Sequence, residues 1–381
     1  VRQGRHGPIP EGRHDLRTLW ASGQPLTAET RPPWLAAEDI AGYRLVATVT
    51  LAGLSDAARA AAEDEFGAME MARLVVTDDP RDADVRHVHV AAPRAEPVWS
   101  IGIVAGAAPW SLGETPVANP VLTATDVPGI AATSVADPFL VRDAAGGWRM
   151  FFEVDSWSSW KGEIGLATSA DGRAWRCEGI VLAESFHLSY PGVFAGDAGE
   201  MFMVPESSQA AAVRLYRARR YPYDWEHVGD LVTGLPFADP TVVRHGGRWW
   251  LFTETSGGAD DTLRLFHAAA LHGPWVEHRA SPIVRGDAMI ARPAGRIVAT
   301  GGRLVRFAQN CRPAYGTDVR ALEIVRLTVD DYAERPLTAA PILGPGTGWN
   351  SGGMHHVDPV EVAAGRWLAA VDGWRMEDDA A

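Results

Sequence analysis

The sequence is poor in the residues that cross-link, anchor or recruit by charge. It has two cysteines, Cys177 and Cys311, in 381 residues. That is too few for a disulfide framework or a zinc-ligand cluster, and it points to a reducing, cytoplasmic setting. No stretch approaches the roughly 18 consecutive apolar residues of a membrane span, and the opening VRQGRHGPIPEGRH carries no apolar signal core. Basic residues are outnumbered, 35 against 48 acidic, for a net charge of -13. Phosphate attraction would therefore have the wrong sign overall, which argues against nucleic acid or an anionic membrane as the main partner. Among the basic residues only Lys161 is a lysine. What the chain does have is 39 glycines, 26 prolines and 15 tryptophans, a composition that suits many short strands joined by turns.

Aligned against itself, the chain writes one pattern five times: DPFLVRDAAGGWRMFFEV from Asp137, YPGVFAGDAGEMFMVPES from Tyr190, DPTVVRHGGRWWLFTET from Asp239, RPAGRIVATGGRLVRFAQN from Arg292 and DPVEVAAGRWLAAVDG from Asp358. Each copy reads as a hairpin, with an X-Pro start, an alternating strand, a Gly-bearing turn and an apolar second strand. Third strands follow, ending at Trp175, Trp225, Trp275 and Tyr332, and short fourth strands close in GIVL, DLVT, SPIV and APIL. Four short strands repeated about every fifty residues mark a β-propeller.

The fifth hairpin lacks its outer strands, and they lie upstream. WSIGIVAGAAPW, residues 99–110, matches the third-strand pattern, and ANPVL, ending at Leu122, the fourth. N-terminal strands would thus complete the last blade and remove two exposed edges. The expected architecture is mainly β, a five-bladed propeller over residues 99–381, with residues 1–98 forming a small α/β appendage. Within that appendage SDAARAAAEDEFGAMEMARL reads as helix.

In a propeller the inner strand of each blade starts at the central channel and its antiparallel partner ends beside it. The inner starts are Asp137, Tyr190, Asp239, Arg292 and Asp358; the partner ends are Glu153, Glu206, Glu254, Gln309 and Asp372. These ten residues are expected to face one funnel. Polar groups there could simply be a solvated mouth, but clustered carboxylates repel one another unless a cation, a shared proton or a ligand offsets them. His187 and His355 each stand three residues before an inner start, and His356 is next to the second. Lys161 opens a third strand near the same mouth, and Trp157 and Trp160 on the preceding loop offer flat faces to sugar rings. Arg292 and Arg312 either clamp an anionic group on a substrate or neutralise the surrounding acids.

The repeat with its DP starts resembles the five-bladed propeller glycosidases of glycoside hydrolase family 43. More specifically, WSIGIVAG, NPVL, VADPF, FFEV, KGEIGLATS, HLSYP, MVPES, WWLF and RPAGR resemble the family 43-like domain at the N-terminus of plant glucosamine inositolphosphorylceramide transferases and of bacterial relatives. In the plant proteins glycosyl transfer is assigned to a separate domain.

The hydrolase resemblance implies Asp137 as general base and Asp239 as the residue that tunes the acid. Arg292 stands where the general acid would be, and arginine cannot give up a proton near neutral pH. Glu206 or Glu254 would then have to supply the acid, with Glu206 the candidate. Glu153, Glu254, His187, Tyr190, Lys161, Trp157, Gln309, Asp358 and Arg292 are expected to contact substrate. The same resemblance implies a calcium-like ion on the axis near His355 or His356. The resulting expectation is a carbohydrate-active, glycosidase-like enzyme acting on a sugar or glycoconjugate; the alternative is a glycan or glycolipid recognition module without turnover.

Overall fold

The computed structural model describes residues 43–52, 73–79, 82–93, 97–130, 132–143, 146–156 and 161–376. The chain divides into two compact units, residues 1–97 with 157–160 and 376–381, and residues 98–156 with 161–375. In the first, strands Tyr43–Ala52, Asp82–Pro93 and Arg73–Asp79 form an antiparallel sheet with Asp82–Pro93 in the middle. The helix expected between the first two of these strands in sequence lies outside the described residues.

The second unit is a five-bladed propeller. Blade I comprises strands Ala132–Arg142, Trp148–Ser156, Lys161–Ser169 and Arg176–Leu182, paired in sequence order. Blade II comprises Ser189–Ala195, Met201–Glu206, Ala212–Arg220 and Asp224–Thr233. Blade III comprises Ala238–His245, Arg248–Glu254 and Thr262–Ala268, with the short strands Val276–Glu277 and Val284–Arg285 both paired to Thr262–Ala268. Blade IV comprises Val298–Thr300, Arg303–Asn310, Asp318–Leu327 and Tyr332–Pro336. Blade V takes Val357–Ala363 and Arg366–Met376 from the C-terminal side and Pro97–Ala108 and Ser111–Glu114 from the N-terminal side, in that spatial order. The ring closes as the displaced fifth copy predicts.

Consecutive apolar residues on the second strands follow from burial on both faces of a blade. Trp249 and Leu251 pack toward blade II with Val204, Leu215 and Phe237. Trp250 and Phe252 pack toward blade IV with Leu304 and Ile324. In blade I, Met150, Phe152 and Val154 face blade V with Leu368 and Ala370, while Phe151 faces Val193 and Met203 of blade II. Val305, Phe307 and Val319 meet Val357, Trp367 and Ala369 in the remaining gap. Each inter-blade gap thus has its own buried layer.

Two expectations about strands need correction. ANPVL and APIL do not form the regular fourth strands. The third strands of blades V and IV are long enough for two partners: Ser111–Glu114 and Tyr332–Pro336 take one end, and Leu122 and Leu343 make isolated bridges to Ile101 and Val319 at the other. The inner strand of blade IV also starts later than Arg292, at Val298, although a Pro293 to Ala308 bridge and a Gln309 N–H bond of 3.0 Å to the Arg292 carbonyl keep Arg292 at the ring.

Candidate glycan site at the propeller mouth

Asp137, Tyr190 and Asp239, each followed by proline, sit at equivalent inner-strand starts and adopt left-handed φ values of 51°, 46° and 47°. Each coincides with a break in register against the second strand. A non-glycine residue there costs about 1–3 kcal/mol and persists only where its surroundings hold it. The hold is visible in the hydrogen bonds. Asp137 N–H donates to Asp372 Oδ2 at 2.9 Å, Tyr190 N–H to Asp137 Oδ2 at 3.2 Å, and Asp239 N–H to Glu206 Oε2 at 3.1 Å. Acids of the mouth therefore accept from the strained peptide groups of the following strand starts.

Asp137, Asp239, Glu206, Arg292, Gln309, His355 and Asp372 converge. Arg292 reaches Asp239 Oδ2 through Nε at 2.6 Å, Asp260 Oδ1 through Nη1 at 2.8 Å and Glu206 Oε2 through Nη2 at 3.5 Å. Gln309 Nε2 donates to the same Asp239 oxygen at 2.8 Å. The other oxygen of Glu206 accepts from the Ser208 hydroxyl at 2.8 Å. Both oxygens of Glu206 thus accept hydrogen bonds from the protein itself. Burial pushes the Asp239 carboxyl up, and Glu206 and Asp137 push the same way, against the pull of Arg292.

Around Asp137 the balance reverses. Burial would raise its carboxyl, but the His356 and His355 imidazoles and Arg292 outweigh it and hold the group below its usual range. His355 Nδ1 lies 2.8 Å from Asp372, and the His355 ring stacks on Trp99 at 4.0 Å. Burial alone would lower the His355 pKa; Asp372 and then Asp137 raise it to about 9. His356 is fully buried, its Nδ1 is 3.4 Å from Asp137 Oδ1, and neither ring nitrogen has a hydrogen-bond partner. The donors facing Asp137 Oδ1 are imidazole nitrogens, whereas calcium takes six to eight oxygens. Asp137, His355 and Asp372 have ligand atoms within 4.8 Å of one another, close enough for a metal ion on distance alone, while Asp372 also accepts the N–H groups of Asp137, His355 and His356.

Glu153 and His187 form a second corner with Asp155. His187 Nε2 is 3.1 Å from Glu153 Oε1, and His187 Nδ1 accepts the Gly162 N–H at 2.8 Å. Burial, then Asp155, push the Glu153 carboxyl up to about 8, against His187. Burial, opposed by His187, also raises Asp155.

Several expected contact residues are committed elsewhere. Glu254 is buried and accepts the Ser256 N–H at 2.6 Å and the Thr262 N–H at 3.4 Å, tying down its own loop. Asp358 is fully buried, accepting from Leu140 N–H at 2.6 Å and Arg296 Nη2 at 2.7 Å, so it clamps blade V to blades I and IV. The Tyr190 hydroxyl is buried between Thr241 and Gly295, at 2.8 and 3.0 Å. Lys161 pairs with Glu163 at 3.0 Å and donates to the Glu184 carbonyl. Trp157 lies outside the described residues.

The sequence reading missed Asp260, Tyr315 and Trp99. Tyr315 is 41% exposed, its ring lies 5.1 Å under the Arg292 guanidinium, and it meets His355 edge-on at 5.2 Å. It lies between the second and third strands of blade IV, the position in the repeat at which the sequence of blade I has Trp157. That equivalence was the available signal. Asp260 stands between the second and third strands of blade III, the same repeat position, so the same signal was available for it.

The fold and the site define a five-bladed propeller with a polar, aromatic-walled mouth built from inner-strand starts. Residues 92–374 match the family described as "Glucosamine inositolphosphorylceramide transferase 1, N-terminal", and the chain belongs to that family. It is 36% identical over 307 residues to glucosamine inositolphosphorylceramide transferase 1 of Oryza sativa subsp. japonica, covering 74% of this chain and 41% of that protein. It is 34% identical over 301 residues to the Arabidopsis thaliana protein of the same name, covering 73% and 39%. The chain thus spans about two fifths of the length of these curated relatives. Among solved structures it is similar to an exo-beta-1,3-galactanase from Clostridium thermocellum, at 12% identity and TM-score 0.44 over 56% of this chain and 51% of that one. It is also similar to an exo-1,5-alpha-L-arabinanase from a bovine ruminal metagenomic library, at 12% and 0.43 over 59% and 85%. Likenesses of this size say nothing about chemistry; the family relates the chain to carbohydrate function.

Proposed function

We propose that the mouth is a recognition site for the sugar portion of a glycoconjugate and that it binds without hydrolysis. The observation that carries this reading is Arg292, which ties up Asp239, Glu206 and Asp260 where an inverting pair would need a free acid opposite a base. Ion-paired acids remain good acceptors for sugar hydroxyls, and the exposed Tyr315 face beside them supplies an apolar wall for a ring. The names of the curated relatives suggest a glycosylated inositol phosphate headgroup as ligand.

A glycan array including glucosamine-terminated and inositol-phosphate glycans tests this. Binding by the wild-type chain that is weakened by Tyr315→Ala supports it; an empty array contradicts it. A glycosidase-like reading has one observation in its favour. On a single hairpin Asp137 is held low while Glu153 is raised to about 8, the separation of a base from an acid.

A further inference from the structure

The Glu153, Asp155 and His187 corner at the end of the second strand of blade I is built to a narrow tolerance. Their ligand atoms lie within 4.8 Å of one another, which would admit a metal ion on distance alone. The hydrogen bond on the far side of the ring argues otherwise. A main-chain N–H can only donate, so the Gly162 bond leaves His187 Nδ1 without a proton. A neutral ring must then carry its proton on Nε2, the atom that faces Glu153 Oε1 at 3.1 Å. A metal-binding imidazole has the opposite arrangement, with the bare nitrogen toward the ion and N–H toward an acceptor behind it.

The same bond limits what His187 can do for the carboxylates. Glu153 and Asp155 draw a second proton toward the ring and raise it to about 9 against burial, but that proton belongs on Nδ1 and would have to displace the Gly162 amide. The displacement has no room. A Cβ at Gly162 would lie 2.4 Å from the Leu188 carbonyl oxygen, 2.7 Å from Glu153 Oε1 and 2.7 Å from the His187 ring, so the strand is pressed against both.

Among the described residues the groups acting on this corner besides His187 are acids: Asp137 on the inner strand of blade I acts on both carboxyls, and Glu206 of blade II acts on His187. On the third strand, Lys161 is engaged with Glu163 and the Glu184 carbonyl. Glu153 lies 3.1 Å from the imidazole and the Asp155 carboxylate within 4.8 Å of both, and two carboxyls so close to a neutral ring cannot both ionise without cost.

We propose that Glu153 and Asp155 share one proton at neutral pH, kept off His187 by the Gly162 amide, and that the neutral Glu153 carboxyl donates a hydrogen bond to an acceptor oxygen of a bound glycan. The inference about the ligand rests on the recognition reading; the inference about the proton does not. An otherwise acidic rim thereby gains a donor for ring, glycosidic, carboxylate or phosphate oxygens, which an ionised Glu153 would repel.

The full chain labelled with 15N-histidine and 13C-carboxyl Glu and Asp, followed by NMR from pH 5 to 10, locates the proton. His187 should be the Nε2–H tautomer at pH 7, and Glu153 should titrate well above the usual carboxylate range, driven up by burial and Asp155. A His187 ring protonated on both nitrogens at pH 7, with Glu153 already ionised at pH 6, overturns the proposal. These outcomes need no variant and no ligand. On the glycan array, wild-type signal should fall about tenfold between pH 6.5 and 9.5, one hydrogen bond's worth. Glu153→Gln, which keeps an N–H donor, should lose that pH dependence. Equal wild-type signal at both pH values overturns the donor role, and an empty array at both overturns the recognition reading while the NMR result still stands on its own.

Discussion

The main-chain N–H of Tyr190, at the start of blade II, donates to Oδ2 of Asp137, at the start of blade I, over 3.2 Å. Both residues are left-handed and both precede proline. The carboxyl that a catalytic reading would make the base is therefore also part of the joint between two blades. Asp372 and Glu206 accept from the other strained starts in the same way. Structure and function compete for the same oxygens at this mouth, and mutations there should be read on both scales.

Asp372 accepts from three main-chain N–H groups and from the His355 ring. The folded-state pKa of His355 is raised above its ordinary value to about 9. The stabilisation from this pair is therefore present below about pH 6.5 and fades as pH rises through 9, by about 3 kcal/mol. Urea unfolding of the wild type minus that of His355→Gln, at pH 6 and at pH 9.5, should show the difference shrinking on the alkaline side. A difference that is constant with pH would contradict the assignment.

Arg292→Ala should destabilise the chain by about 3–5 kcal/mol, the usual consequence of leaving buried charges uncompensated. Asp239, Glu206 and Asp260 would then face one another without their shared cation. Because protonation relieves that repulsion, the deficit measured by urea unfolding should be smaller at pH 5 than at pH 7.5.

Tyr315→Ala should cost about 1 kcal/mol or less, the scale of its partly exposed contacts with Arg292 and His355. Glycan affinity should drop about tenfold with the loss of the aromatic wall. Calorimetry and a thermal melt on the same preparation check both halves. A stability loss as large as that of Arg292→Ala would make Tyr315 a packing residue instead.

Much of the ring was legible because a propeller repeats its own sentence. The Asp-Pro and Tyr-Pro starts, the Gly turns and runs such as Met150-Phe151-Phe152 fix strand count, blade boundaries and burial on both faces. Completion of blade V by Pro97–Ala108 follows from the incomplete last copy. Side-chain commitments were less legible. Glu206 and Glu254 occupy equivalent repeat positions, yet one turns to Arg292 and a neighbouring blade and the other to its own loop, a choice set by residues between the repeats. Asp358 shares the Asp-Pro signature of Asp137 but lacks its left-handed backbone, and its carboxylate meets Arg296 instead. The outer strands were misplaced because a long third strand can host two partners, a matter of length that periodicity does not record.

The central claim, binding without turnover, is most directly tested by incubating the chain with its strongest array ligand and following ligand mass and bound fraction together. Saturable binding with an unchanged ligand mass, in both wild type and Asp137→Asn, is the predicted result. Release of a sugar by the wild type that disappears in Asp137→Asn would contradict it and make the mouth an active site.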